Sequence, residues 1–187
     1  MAKTRTVKGL SAPSLLRYFR RSGRLILAEH DGDLWVTDSY MAVRLIGTDN
    51  AVASLLALYN LPFEAMVCDV DSTVVRREGA QTPDIGRLIP AIDVLTPAIR
   101  FHIGNAPALV EGSGSSPLHE LWTAGKTQFC MNPDVVKIVN LFVGGDWFAY
   151  TEQTSTRPIA KARDGAVQAI AMPIRNLSII ANEEQAA

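Results

Sequence analysis

Four arginines near the start of the chain have the spacing of a single helical face. Arg20, Arg21 and Arg24 follow Arg17 by three, four and seven residues, with no acidic residue between them. At about 100° per residue, such positions project in similar directions. This face is therefore a candidate contact surface for nucleic-acid phosphates, and the alternative is the solvated face of an ordinary surface helix. A later predicted helix adds only Lys137 on its polar side, so the basic charge is uneven.

A second group of potentially reactive residues is the segment 67–73, with the sequence Val-Cys-Asp-Val-Asp-Ser-Thr. It resembles the D-x-D-x-T motif of haloacid-dehalogenase-like phosphatases, in which a nucleophilic carboxylate and an acid/base carboxylate flank Mg²⁺. That resemblance implies a following helix and a downstream acidic pair. Here a strand and a turn are predicted to follow, and Asp134 and Asp146 stand alone. We therefore favour an alternating strand with exposed acids and keep the phosphatase as a remote alternative.

The other residue types that carry chemistry are scattered. His30, His102 and His119 lack metal-site spacing, and Ser113 and Ser115 lie in a Gly-Ser run without the setting of a nucleophile elbow. Two isolated cysteines cannot form a disulfide framework or a four-thiolate zinc site. The sequence therefore predicts no catalytic residue, metal or cofactor, and we do not expect an enzyme.

Composition is typical of a globular protein. Of 187 residues, 48% are hydrophobic and 20% are charged, which is enough to bury a core. The net charge of −1 argues against an evenly basic nucleic-acid coat but permits a local basic face. The sequence shows neither a secretory signal nor a run of about 18 apolar residues, so we expect a cytoplasmic protein without a membrane span.

Sequence patterns predict an α+β order of helices and antiparallel strands. The arginines fall on a helix at 13–22, which Ser11 can cap and Gly23 can end, and Asn132 caps a second helix at 133–142. Because each helix precedes several strands, the order suggests a faint internal repeat. The other predicted elements are strands at 25–29, 34–37, 42–46, 92–103, 108–111, 127–131, 147–151, 159–162 and 167–172, a helix at 51–59, a β-rich stretch at 64–77 and a flexible loop at 112–116.

Three short segments resemble, in the same order, segments of the bacterial DNA polymerase III β sliding clamp family. Residues 37–45 resemble the family's T-D-G-H-R-L, residues 82–90 its F-P-D-Y-x-x-V-[IL]-P, and residues 171–175 its V-M-P-M-R. Residues 129–142 resemble the start of a clamp helix, F-N-x-x-Y-L-x-x-x-L. The chain is much shorter than a three-domain clamp, it replaces the family's Gly-His by Ser-Tyr-Met at 39–41, and it continues at 176–187 past the family's usual end.

This resemblance implies a DNA-clamp-like fold of antiparallel sheets with helices packed on one face. It implies two related halves, residues 1–92 and residues 93–187, the second with a C-terminal tail. Clamp helices line a central hole and face DNA. The residues that would contact DNA are therefore Arg17, Arg20, Arg21, Arg24 and Lys137.

In bacterial clamps the matching segments converge on a hydrophobic pocket that takes a short linear motif of polymerases, clamp loaders and repair proteins. Carried over position by position, the implied pocket comprises Thr37, Ser39, Tyr40, Pro83, Arg87, Leu88, Met172, Pro173 and Ile174. Apolar Leu88, Met172 and Ile174 would receive an anchor side chain, and methionine suits a surface that accepts several peptides. The alternative is that Met172 and Ile174 are ordinary strand residues.

The resemblance implies a processivity factor that contacts duplex DNA and binds DNA polymerase or other replication proteins through the pocket. A homo-oligomeric ring is expected, with a trimer matching the six domains of known clamps. The main alternative is a clamp-like module that binds a partner without forming a ring, or that mimics a clamp.

Overall fold

The computed structural model describes residues 10–46, 50–71, 74–111 and 118–174. Within these ranges the chain forms three α-helices, which are α1 (Ala12–Ser22), α2 (Ala51–Ala57) and α3 (Pro133–Phe142). Two short 3-10 helices span Ile85–Leu88 and Ile92–Val94. No helix in these ranges is long and apolar enough to cross a membrane.

The strands of the same ranges fall into two groups along the chain. Those before the 3-10 helices are β1 (Arg24–His30), β2 (Asp33–Thr37), β3 (Met41–Arg44), β4 (Met66–Val70) and β5 (Val75–Glu78). Those after them are β6 (Leu95–Arg100), β7 (His102–Ile103), β8 (Ala106–Pro107), β9 (Leu109–Glu111), β10 (Leu118–Ala124), β11 (Thr127–Met131), β12 (Asp146–Tyr150), β13 (Ile159–Arg163) and β14 (Ala166–Ala171).

Local capping explains the bounds of α1. The Ser14 N–H donates to Ser11 Oγ (3.4 Å), and the Ser11 N–H donates to Ser14 Oγ (3.0 Å), which completes a capping box. Gly23 ends the helix in the left-handed region at φ 72°, where its N–H donates to the Phe19 carbonyl (2.9 Å). In α3, Asn132 Oδ1 accepts the Asp134 N–H (2.9 Å). The helices predicted at 13–22 and 133–142 are therefore confirmed, and the helix predicted at 51–59 ends at Ala57.

All strand pairs are antiparallel, and twelve strands form one sheet. Their order is β11-β10-β6-β12-β13-β14-β3-β2-β1-β4-β5, with β9 paired to β10, while β7 and β8 pair separately. At the centre β3 pairs with β14, where Met41 lies opposite Ala171 and Val43 opposite Ala169. The predicted mixed α+β class with a largely antiparallel sheet is confirmed.

The sheet has a helix side and a connector side. On the helix side, one core joins buried residues of α1, α2 and α3 to alternate strand residues such as Leu25 and Leu27. On the connector side, a smaller cluster packs Ile85 of the first 3-10 helix against the sheet. Its buried members are Ala28, Trp35, Ala42, Ile85, Ala160 and Ile170. The chain between β5 and β6 therefore covers part of the face opposite the helices.

The proposed division between residues 92 and 93 falls inside the second 3-10 helix. The main core contains residues from both sides of this position, and the β3–β14 pairing also crosses it. The two related halves and their boundary remain predictions.

Two predicted strands differ from the observed ones by two or more residues at an end, and the observed strand β10 was missed. Residues 92–94 of the predicted 92–103 strand are the second 3-10 helix, and the strand predicted to reach residue 46 ends at Arg44. Strand β10 was not predicted, because His119 and Glu120 obscure its pattern. Glu120 is buried there with Arg100 Nε 3.2 Å from its carboxylate. The loop predicted at 112–116 lies outside the described residues.

Candidate functional site

The basic surface of α1 matches the sequence prediction at three of four positions. Arg17, Arg20 and Arg21 are exposed, whereas Leu15 and Phe19 on the other side of the helix are fully buried. No acidic residue lies in the first turn of α1. The helix therefore turns guanidinium groups to solvent and packs its apolar side on the sheet.

Placing Arg24 on this helical face was wrong. The helix ends at Ser22, Gly23 turns the backbone into the left-handed region, and Arg24 is the first residue of β1. In the sheet Arg24 pairs with Asp69 of β4. The left-handed glycine interrupts the rotation of about 100° per residue on which the spacing argument depends.

Helices α1 and α3 are joined at the surface by an ion pair. An Arg21 guanidinium nitrogen contacts Asp134 Oδ2 in the first turn of α3, and the two side chains are 64% and 50% exposed. Lys137 is exposed about one turn further along α3. Asp134 offsets the charge of Arg21. The stronger candidates for phosphate contacts are therefore Arg17, Arg20 and Lys137.

The turn between β2 and β3 brings two predicted pocket residues next to Met172. Ser39 has φ 79°, and its N–H donates to Thr37 Oγ1 (3.2 Å). Tyr40 is 61% exposed, and its carbonyl accepts the Met172 N–H (2.8 Å). Thr37 is buried and supports the turn, while Ser39 and Tyr40 are at the surface.

The segment after β14 reaches strand β11. Strand β14 ends at Ala171, so Met172 and Ile174 lie just beyond the strand, both half-buried, with Pro173 buried between them. The Ile174 N–H donates to the Cys130 carbonyl of β11 (2.9 Å).

The connector carries the remaining predicted pocket residues. Pro83, Arg87 and Leu88 are exposed around Ile85, which is anchored with Ala42 and Ile170 in the connector-side cluster. Ala42 and Ile170 are two residues from Tyr40 and Met172, respectively, although Tyr40 and Met172 lie just outside β3 and β14. Among the described residues, no hydrogen bond joins Pro83, Arg87 or Leu88 to Tyr40 or Met172. The structure therefore joins Tyr40 to Met172, while the connector residues form a separate group near Ala42 and Ile170.

A cleft of about 350 Å³ on the connector side was not predicted. Trp35, Arg44, Ile89 and Val167 contribute to its walls, and Arg44 is held by Asp33 at 2.5 Å. It lies at the end of β2 and β3 away from Tyr40. Its sequence signal was weak, because most of its lining lies outside the segments that resemble the clamp family; Arg44, Ile89 and Pro90 are the exceptions.

A buried carboxylate lies behind the Ser39–Tyr40 turn. Asp38 is 4% exposed, and its Oδ1 accepts the N–H groups of Tyr40 (2.9 Å) and Met41 (3.0 Å). The Tyr18 hydroxyl of α1 interacts with the same carboxylate by charge and hydrogen bonding. Burial raises the pKa of Asp38, and burial followed by the charge of Asp38 raises the pKa of Tyr18.

A second buried charge anchors α3 to the sheet. Lys161 is 6% exposed, its Nζ donates to Asn140 Oδ1 (2.5 Å), and it lies 5.0 Å from the centroid of the Trp147 ring. Burial lowers the pKa of Lys161, which Asp146 opposes and Arg100 reinforces. Sequence patterns missed this arrangement, because an isolated lysine in a strand is typically exposed.

The phosphatase-like segment lies in an antiparallel hairpin. Strands β4 and β5 pair directly, and Asp71 Oδ1 accepts the Val74 N–H (2.9 Å) in the connection between them. A strand therefore follows Asp69 and Asp71, where the phosphatase motif requires a helix, while Ser72 and Thr73 lie outside the described residues. No group of three or more His, Cys, Asp or Glu side chains within the described ranges could hold a metal ion.

No protein-family model, curated protein or solved structure matches this chain. The resemblance to sliding clamps therefore rests on the four segments given above. The features of the fold that bear on function are its exposed cations and its exposed apolar groups.

Proposed function

We propose that this protein is a DNA sliding clamp-like processivity factor that contacts duplex DNA and binds a polymerase or other replication protein through a peptide pocket. One observation carries the proposal: the arginine-bearing helix α1 packs on one side of the sheet, while the clamp-like segment 82–90 packs through Ile85 on the other. In a clamp, such an arrangement leaves DNA on the helix side while a protein partner occupies the outer side.

Exposed cations support contact with DNA on the helix side. Arg17 and Arg20 on α1 and Lys137 on α3 are exposed, and none of the three forms a salt bridge with a described residue. Contacts of this kind bind the phosphate backbone without reading the base sequence, and they weaken as the salt concentration rises.

Exposed apolar groups support peptide binding at the predicted pocket residues. Tyr40 is 61% exposed and Leu88 is 45% exposed, while Met172 and Ile174 are partly covered. Large apolar side chains around a few polar backbone groups are typical of sites that receive an anchor side chain. The pocket would therefore hold a short apolar motif of the partner.

A charge-reversal experiment tests the DNA contact. We expect Arg17→Glu/Arg20→Glu to weaken binding to a labelled duplex by about tenfold or more, and to lower the salt slope by about 2 for each protomer. Fluorescence anisotropy at several salt concentrations measures both quantities.

The matched control is Arg76→Glu/Lys126→Glu, which makes the same charge change at exposed residues of β5 and the β10–β11 turn. This control should retain most of the binding. Equal losses in both double variants would mean that only net charge matters, which would remove α1 from the proposed mechanism.

A further inference from the structure

The turn that carries Ser39 and Tyr40 holds an uncommon backbone conformation. Ser39 has a φ of 79°, in the left-handed region that side chains other than glycine rarely adopt. Three hydrogen bonds to two side-chain oxygens fix this conformation: Thr37 Oγ1 accepts the Ser39 N–H, and Asp38 Oδ1 accepts the N–H groups of Tyr40 and Met41. Such a conformation persists only where surrounding contacts determine it.

The Asp38 side chain is in turn held by a contact with helix α1. Its carboxylate faces Tyr18 of α1. The Tyr18 hydroxyl also interacts electrostatically with Asp134 and Arg21. Tyr18 packs edge-on against the fully buried Phe19, with ring centroids 5.4 Å apart. The phenol therefore lies against the core of the helix side, whereas Tyr40 is exposed at the surface.

We propose that Asp38 and Tyr18 are positioning residues for the peptide pocket, holding the Ser39–Tyr40 turn in its binding conformation although neither side chain enters the pocket. The effect extends to Met172, because the Tyr40 carbonyl accepts its N–H. This inference rests on the proposed peptide-binding function.

Burial of Asp38 has a cost that its hydrogen bonds offset. A carboxylate removed from water requires donors at its oxygens, and two backbone N–H groups and one phenol supply them here. Replacement by alanine would leave those backbone groups without their acceptor. Replacement by asparagine would retain an Oδ1 that can accept both N–H groups.

The test uses a fluorescent peptide selected for binding to the full-length protein from a random library. The selected peptide must lose binding to Tyr40→Ala and Met172→Ala, which assigns it to the pocket. We expect Asp38→Ala to raise its Kd by about tenfold or more, Asp38→Asn to recover most of the affinity, and Tyr18→Phe to raise the Kd about threefold. The control Tyr150→Phe removes a hydroxyl far from the turn in the chain and should leave the Kd unchanged.

Amide hydrogen exchange provides a readout that is independent of the peptide. Exchange at Tyr40 and Met41 should accelerate in Asp38→Ala and Tyr18→Phe, while exchange in the strands of the core stays slow. Wild-type affinity in both variants would overturn the inference, as would a loss of affinity accompanied by faster exchange throughout the molecule. If no selected peptide depends on Tyr40 and Met172, the pocket function itself fails, and exchange at Tyr40 and Met41 still shows whether Asp38 holds the turn.

Discussion

Lys161 shows how a single residue can be structurally important without taking part in a site. Its ammonium group is buried beside Trp147, and no carboxylate among the described residues lies within 4 Å of it. It donates instead to the side-chain oxygen of Asn140. The Trp147 indole N–H donates to the same Asn140 oxygen (3.2 Å). The oxygen therefore keeps a donor if the lysine is replaced.

We expect Lys161→Met to be neutral or stabilising by about 1 kcal/mol at neutral pH, because an apolar chain fills the space without burying a charge. The pKa of Lys161 is lowered in the folded protein, so the unfolded state binds more protons between that pKa and about 10.4. The contribution of Lys161 to the free energy of unfolding of the wild type therefore becomes more favourable as pH rises through that window. The advantage of the methionine variant should shrink over the same window.

Urea unfolding at a series of pH values measures this difference. The raised pKa values of Cys68, Cys130 and Tyr18 act in the opposite direction, but they are common to both proteins and cancel in the comparison. The exposed Lys126→Met is the control and should show no such trend. An advantage that grows with pH would contradict the burial argument.

The bounds of helix α1 depend on residues at its two ends, and Gly23 ends the helix in a left-handed conformation. A Cβ at Gly23 would meet no atom within 4 Å, so its φ of 72° is the cause of any cost. We expect Gly23→Ala to lower the free energy of unfolding by about 1 kcal/mol. Urea unfolding measures the loss. At Gly79 a Cβ also has open space and the φ is not positive, so Gly79→Ala should have little effect.

The same local signals explain which elements the sequence could predict. Ser11 and Gly23 bound α1 and Asn132 begins α3 through contacts within a few residues. Strand β10 could not be predicted in this way, because its Glu120 is satisfied by Arg100 of a different strand.

The candidate site shows the same difference between local features, which could be predicted, and contacts between distant elements, which could not. The exposure of the α1 arginines was predicted from their spacing. The family resemblance implied that Tyr40 and Met172 belong to one pocket. The Tyr18 contact with Asp38 was not predicted, because it joins a helix to a turn on a different element. Arg24 was misplaced because one left-handed glycine changes the direction of the chain.

At the scale of the whole molecule, the proposed ring makes a prediction about mass. If each chain contains the two clamp-like halves predicted from its sequence, three copies supply six clamp-like units. We expect light scattering to give three times the 20.3 kDa mass of one chain, constant over a range of protein concentrations. A monomer at every concentration would contradict the ring and favour a clamp-like module that binds a partner without encircling DNA.

The pairing of β3 with β14 has a consequence for synthesis of the protein. Strand β3 is made early, but its neighbour β14 emerges from the ribosome only when most of the chain has been translated. Until then the nascent chain presents the open edge of β3, which can pair with another unfinished chain. We expect translation pauses after β3 to increase aggregation, and chains truncated before β14 to be recovered mainly in the insoluble fraction.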